Sequence, residues 1–190
     1  YGSNFDVHTK NGEIKDIRTK LLGVHNITDI IGAISVATEM GLTNDQIKMG
    51  VRYLKPVPHR LELKKNPNGL TIIDDAYNSN ISGATVAFET LKMFKDKKRI
   101  LVTPGMVDFG AESEKYNKEF GKRAANCADY VILVGEKQAK PIKEGLIEEN
   151  YNANNIYVAK NLEDAIKEWN KFSAKDSVIL LENDLPDNYL

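Results

Sequence analysis

One cysteine in 190 residues, Cys127, leaves no partner for a disulfide and no Cys-x-x-Cys pair for metal or redox chemistry. The histidines, His8, His25 and His59, follow no metal-ligand spacing. No apolar run approaches the ~20 residues that a membrane-spanning helix needs, so no membrane partner is expected. An excess of charge of one sign is also missing. The 26 Lys and Arg against 27 Asp and Glu give a formal net charge of −1, which offers nothing to nucleic acid or an anionic membrane. Neither Gly-x-x-x-x-Gly-Lys-Ser/Thr nor Gly-x-Gly-x-x-Gly occurs, so the chain has no phosphate-cradling loop of its own. The chain opens on Tyr1-Gly2-Ser3 without a methionine, and no signal-peptide pattern follows. A fragment of a longer, cytoplasmic protein is the expectation.

What is present is the patterning of a globular α/β protein. At 42% hydrophobic and 28% charged residues, the chain suits one compact domain plus a piece of another. Asn11-Gly12 separates two loosely alternating runs, a hairpin signal. Two strands bury little alone, so residues 1–22 read as a remnant hairpin of a neighbouring domain. The domain boundary is placed at Leu22 and Gly23, with residues 23–190 as the second unit. Ile27, Ile30, Ile31, Ile34 and Ala37 form a helical stripe, and Thr43 with Gln46 reads as a capping box opening a helix through Leu54. These are linking helices. Beyond "KPVPHR", the runs "LELKK" and "LTIID" flank a turn and should pair antiparallel.

After Asp75, helices near 82–94, 113–127, 139–149 and 162–172 alternate with "RILVT", "YVILVG", "IYVA" and "SVILL". That alternation predicts a Rossmann-like, mostly parallel six-stranded sheet with helices on both faces. Ligands of such sheets sit beyond the carboxyl ends of the strands. The segments there are 74–78, 103–108, 135–137 and 182–184. The doublet Asp74-Asp75 should therefore face a crevice, although a plain strand-end cap is the bland alternative.

Four stretches in register, "GVHNITDIIGAISVA", "PHRLE", "IIDDAYNSN" and "GMVDFG", resemble the Mur ligase family, and the Asp-Asp-Ala-Tyr-Asn-x-Asn form resembles its D-alanyl-D-alanine-adding branch. The resemblance covers Gly23 to about Gly135. It implies the carboxy-terminal domain of an ATP-dependent amide ligase in peptidoglycan precursor synthesis. In such ligases ATP phosphorylates a substrate carboxylate, and an incoming amine displaces phosphate. The implied partners are ATP with Mg held mainly by a central domain, a UDP-sugar peptide precursor, an amino-acid or dipeptide amine, and the protein's own central and amino-terminal domains. By the same resemblance Asn26 meets adenine, Arg60 meets phosphate as the catalytic group, Asp75 holds the ribose, and Tyr77 and Asn78 line the nucleotide or amine side. Asp74 supports the turn and His25 is structural. The bland alternatives are an N-cap role for Asn26 and a surface pair of Arg60 with Glu62.

Departures from the family pattern are Gly105 in place of an aspartate, Asp108 in place of a glutamate, Ile81 in place of a proline, and Glu182-Asn183-Asp184 in place of Lys-Gly-Ser-Arg. They bear on the amine rather than on ligation itself. A non-catalytic Rossmann-like module that binds a ligand or partner is the competing class.

Overall fold

The computed structural model describes residues 2–77, 80–107 and 109–183. It divides into a small antiparallel sheet and a six-stranded sheet. Strands β1 (Ser3–Thr9) and β2 (Gly12–Thr19) form the hairpin. Its turn is Lys10-Asn11, because Gly12 already pairs with Thr9. The turn thus falls one residue earlier than the Asn11-Gly12 signal indicated. Helices α1 (Val24–Glu39) and α2 (Asn44–Arg52) cover one face of the hairpin. Val7, Ile14 and Ile17 meet Ile30, Ile34, Ile47 and Val51 in a separate apolar core. Thr43 and Gln46 close the expected capping box at the start of α2.

The large sheet runs β3 (Glu62–Lys65), β4 (Thr71–Asp75), β8 (Ser177–Glu182), β5 (Lys98–Thr103), β6 (Tyr130–Val134), β7 (Ile156–Ala159) in spatial order. Only β3 is antiparallel to its neighbour. Pleating sends alternate residues to opposite faces. Ile73, Leu101, Val131 and Leu180 point to the face covered by α3 (Ile81–Lys92), α4 (Ser113–Ala124) and α5 (Ala139–Glu148). Ile100, Val102, Ile132 and Ile179 point to the other, where α6 (Leu162–Trp169) packs. The expected architecture is present.

Helices α2, α3, α4 and α6 end two or three residues sooner than the periodicity predicts. Leu54, Phe94, Cys127 and Phe172 donate their N–H groups to residues three back rather than four. The apolar spacing continues through a tighter last turn, and spacing alone does not separate the two. Helices α4 and α5 cross unusually close. A Cβ on Gly121 would lie 2.1 Å from Ile142 O, and one on Gly145 would lie 2.0 Å from Lys118 O.

The chain leaves β4, crosses by α3 to β5, and inserts β8 between them at the end. The carboxyl ends of β4, β8 and β5 therefore lie side by side. That is where an open parallel sheet offers a ligand crevice.

The large core rests on Phe120, fully buried edge-on to Phe88 with ring centroids 5.0 Å apart. Phe120→Ala is expected to lower the unfolding free energy by about 3–5 kcal/mol in urea titration. A loss below about 1 kcal/mol would show that this contact is not central to the core.

Candidate functional site

Asp74 and Asp75 point to opposite faces of the sheet. Ile73 lies under α3, α4 and α5, so Asp75 shares that face and Asp74 takes the other. Asp74 is buried, 4% exposed. Its Oδ2 accepts from Lys64 Nζ at 2.5 Å and from His59 Nδ1 at 2.9 Å, and Oδ1 accepts the Ala76 N–H at 3.3 Å. Asp75 Oδ1 accepts the Leu61 N–H at 2.9 Å. From its two faces the doublet grips one segment, His59 to Leu61.

That segment is strained. His59 has φ 60° and Leu61 φ 49°, left-handed backbone that costs about 1–3 kcal/mol per non-glycine residue. Burial of the Leu61 side chain and the bonds to both aspartates offset the cost. Between them Arg60 is exposed, with its guanidinium 4.4 Å from the centroid of the Tyr77 ring. The Tyr77 N–H in turn donates to His59 O at 3.3 Å. Among the described residues Arg60 makes no ion pair. Glu62, its expected alternative partner, takes Lys64 at 3.2 Å and the His59 N–H at 3.4 Å instead.

Asn26 is not an N-cap. Gly23 holds that position, and Asn26 stands in the first turn of α1. Its Nδ2 donates to Leu22 O at 2.7 Å and lies 3.1 Å from His25 Nε2. Among the described residues its side-chain oxygen has no donor. The start of α1 sits against the strained segment: a Cβ on Gly23 would lie 3.1 Å from the Leu61 side chain.

Glu182, which the sequence marked only as part of a departure from the family pattern, borders the candidate site. It stands opposite Asp75 in the β4–β8 register and is 1% exposed, so the two carboxyl groups are neighbours on one face of the sheet. Burial pushes Asp75 above its ordinary value, against the lowering effects of the Leu61 N–H, the Arg60 charge, Glu182 and His25. Neighbouring carboxyl groups on adjacent strands disfavour both being ionised together. Asn183 follows at φ 64°, a left-handed position that asparagine tolerates better than most residues. Its N–H donates to Asp75 O at 3.2 Å and its amide to Gly105 O, so it ties the ends of β4 and β5 together.

Gly105 explains its own departure from the family pattern. At φ 80°, a Cβ there would lie 2.6 Å from Asn117 Oδ1, 2.7 Å from Ile142 Cδ1 and 2.8 Å from Gln138 Cβ. No aspartate fits. Asn117 Oδ1 accepts the Met106 N–H and its amide donates to Met106 O, both at 2.8 Å, which fixes this loop against α4. Asn78, Asp108 and Asp184 lie outside the described residues. His25, Asn26, Arg60, Asp75 and Tyr77 are all described. His25 and Arg60 both bear electrostatically on Asp75, and Arg60 lies over Tyr77.

Comparison with known proteins follows the same lines. A family model described as "Mur ligase, glutamate ligase domain" matches residues 59–181. UDP-N-acetylmuramoyl-tripeptide–D-alanyl-D-alanine ligase of Escherichia coli (strain K12) is 34% identical over 138 residues, 72% of this chain and 30% of that protein. The chain spans roughly a third of the curated relatives it matches, 30% and 35% of the first two. A crystal structure of MurF from Acinetobacter baumannii superposes with a TM-score of 0.75 at 21% identity, covering 96% of this chain and 39% of that one. The MurF ligase of Thermotoga maritima, solved in complex with ADP, superposes at 0.68 with 22% identity over 90% of this chain and 36% of that one.

The Asp75–Glu182 pair gives a sign for pH dependence. A carboxyl raised in the folded state contributes stability that is full below its unfolded value, about 3.9. That contribution is lost as pH rises through the raised value. Asp75→Asn keeps an acceptor for Leu61 and cannot ionise. The wild-type unfolding midpoint should therefore fall relative to that of Asp75→Asn as pH climbs from about 4 to 7. A wild type that gains on the variant over that range would reverse the assignment.

Proposed function

Because the chain belongs to the Mur ligase family by its match over residues 59–181, we propose that it is the carboxy-terminal part of an ATP-dependent carbon–nitrogen ligase of peptidoglycan precursor synthesis. Residues 1–22 would then be the last hairpin of a central ATPase domain, and 23–190 the linking helices and carboxy-terminal domain. The observation that carries the reading is Arg60, presented over Tyr77 by a strained segment that both aspartates grip. Few structural needs account for holding an arginine so firmly at the surface. Phosphate recognition does, since the planar guanidinium matches phosphate oxygens in a bidentate way.

The other residues fit a nucleotide to different degrees. Asn26 keeps a side-chain oxygen for an adenine amino group. Tyr77 offers an exposed ring beside the arginine. Asp75 fits with rearrangement: a ribose hydroxyl would have to share its carboxyl with the Leu61 N–H, beside the buried Glu182. Among the described residues no cluster of His, Cys, Asp or Glu could hold a metal ion. Mg would accompany the phosphates and be held by the central domain.

Bound ATP would supply the activating phosphoryl group to a substrate carboxylate. This chain's part is to orient and neutralise. Arg60 would meet developing negative charge on the transferring phosphoryl oxygens, where fixed donors act most strongly. The crevice beyond β4, β8 and β5 would receive the incoming amine. Its identity follows the D-alanyl-D-alanine branch by likeness, while Glu182 and Gly105 give this crevice its own shape and charge. The setting is the cytoplasm, where a UDP-sugar peptide precursor is available.

Two measurements test the reading. Titration of the isotope-labelled chain with ADP should move the amide signals of Asn26, Arg60, Asp75 and Tyr77 ahead of all others. In a longer chain carrying a phosphate loop, Arg60→Ala should lower turnover by roughly 10²-fold, with Arg60→Lys recovering only part. ADP-induced shifts confined to other surfaces, or turnover unchanged in Arg60→Ala, would sink the proposal.

A further inference from the structure

We infer that His59 is a positioning residue for Arg60, acting through the tie between its imidazole and the buried Asp74 carboxylate. The inference rests on the ligase reading for its purpose but on this chain's own geometry for its substance. His59 occupies left-handed backbone at φ 60°, where glycine would rest without strain. Packing does not hold the ring there, since its side chain is 55% exposed. What holds it is Nδ1 at 2.9 Å from Asp74 Oδ2. The same residue's carbonyl accepts the N–H of Tyr77, and the Tyr77 ring lies beneath the Arg60 guanidinium. His59 thus joins β4 through its side chain and the aromatic platform through its backbone, with Arg60 next in sequence.

Neighbouring charges are arranged around this tie. Lys64 shares Asp74 Oδ2, and Glu62 accepts the His59 N–H at 3.4 Å while also meeting Lys64 at 3.2 Å. Lys64 already supplies a positive partner to the buried carboxylate, so Asp74 does not need the imidazole for charge. The strained segment does need it. With the tie removed, the peptide that leads into Arg60 would keep the 3.4 Å bond of the His59 N–H to Glu62 and the backbone bonds of Arg60 N–H to Val57 O at 3.1 Å and Tyr77 N–H to His59 O at 3.3 Å, but would lose its one side-chain link to β4.

The test uses the 190-residue chain without nucleotide. Nuclear magnetic resonance would follow the ring-current shift of the Arg60 δ protons over Tyr77 and the relaxation of Arg60 Nε–H, with unfolding midpoints measured alongside. His59→Gly suits the backbone and deletes the ring. It should keep the midpoint while the Arg60 signals collapse to those of a free surface arginine. His59→Asn tolerates the same backbone, can donate its amide to Asp74, and should restore most of the wild-type signal. Ordered Arg60 in His59→Gly would overturn the inference. So would an asparagine variant as mobile as the glycine one. If His59→Gly fails to fold, His59→Asn decides by itself, with ordered Arg60 supporting the inference and mobile Arg60 overturning it. Failure of ADP to reach this site while Arg60 stays ordered by His59 would count against the ligase reading alone.

Discussion

Two adjacent carboxylates holding one strained segment are the constraint on which the site depends. A strand sends neighbours to opposite faces, so Asp74 and Asp75 cannot serve the same cavity. They serve the same loop instead, Asp74 through His59 and Asp75 through the Leu61 N–H. Left-handed backbone at both His59 and Leu61 turns Arg60 outward, and Leu61 pays the anchoring debt by burial in the main core. Strain stored beside an exposed cation is a recurring sign of a functional position. Here it explains why an otherwise awkward Asp-Asp step ends an apolar strand.

The rest of the crevice is built around that clamp. Asn183 bridges the ends of β4 and β5 because β8 is inserted between them, a consequence of strand order that no local pattern carries. Gly105 and Asn117 set the opposite rim, where a side chain at 105 would crowd Asn117, Ile142 and Gln138. The Asp75–Glu182 pair makes the floor acidic but inclined to hold a proton, a different electrostatic setting from one ending in Lys-Gly-Ser-Arg. Arg60 and His25 act against that tendency and favour the ionised form of Asp75.

The two apolar cores separate the parts in a way that composition does not reveal. Helices α1 and α2 bury their stripes on the hairpin, while Leu22 and Leu61 belong to the core of the large sheet. Asn26 and His25 stand at that junction. A nucleotide contacting Asn26 and Arg60 together would bridge the two cores.

Periodicity by itself determined the alternation of helix and strand, the antiparallel β3–β4 pair, the capping box at Thr43 and the mostly parallel sheet, because each depends on spacing along the chain. Motif order identified the family and drew attention to Asn26, Arg60 and Asp75. Only the tertiary structure decided what those residues touch. The pairing of Asp75 with Glu182, the bond from His59 to Asp74 and the bridge made by Asn183 join residues 107, 15 and 78–108 positions apart in sequence. Contacts of that kind follow from sheet order and register, and neither is written in the spacing of any one segment.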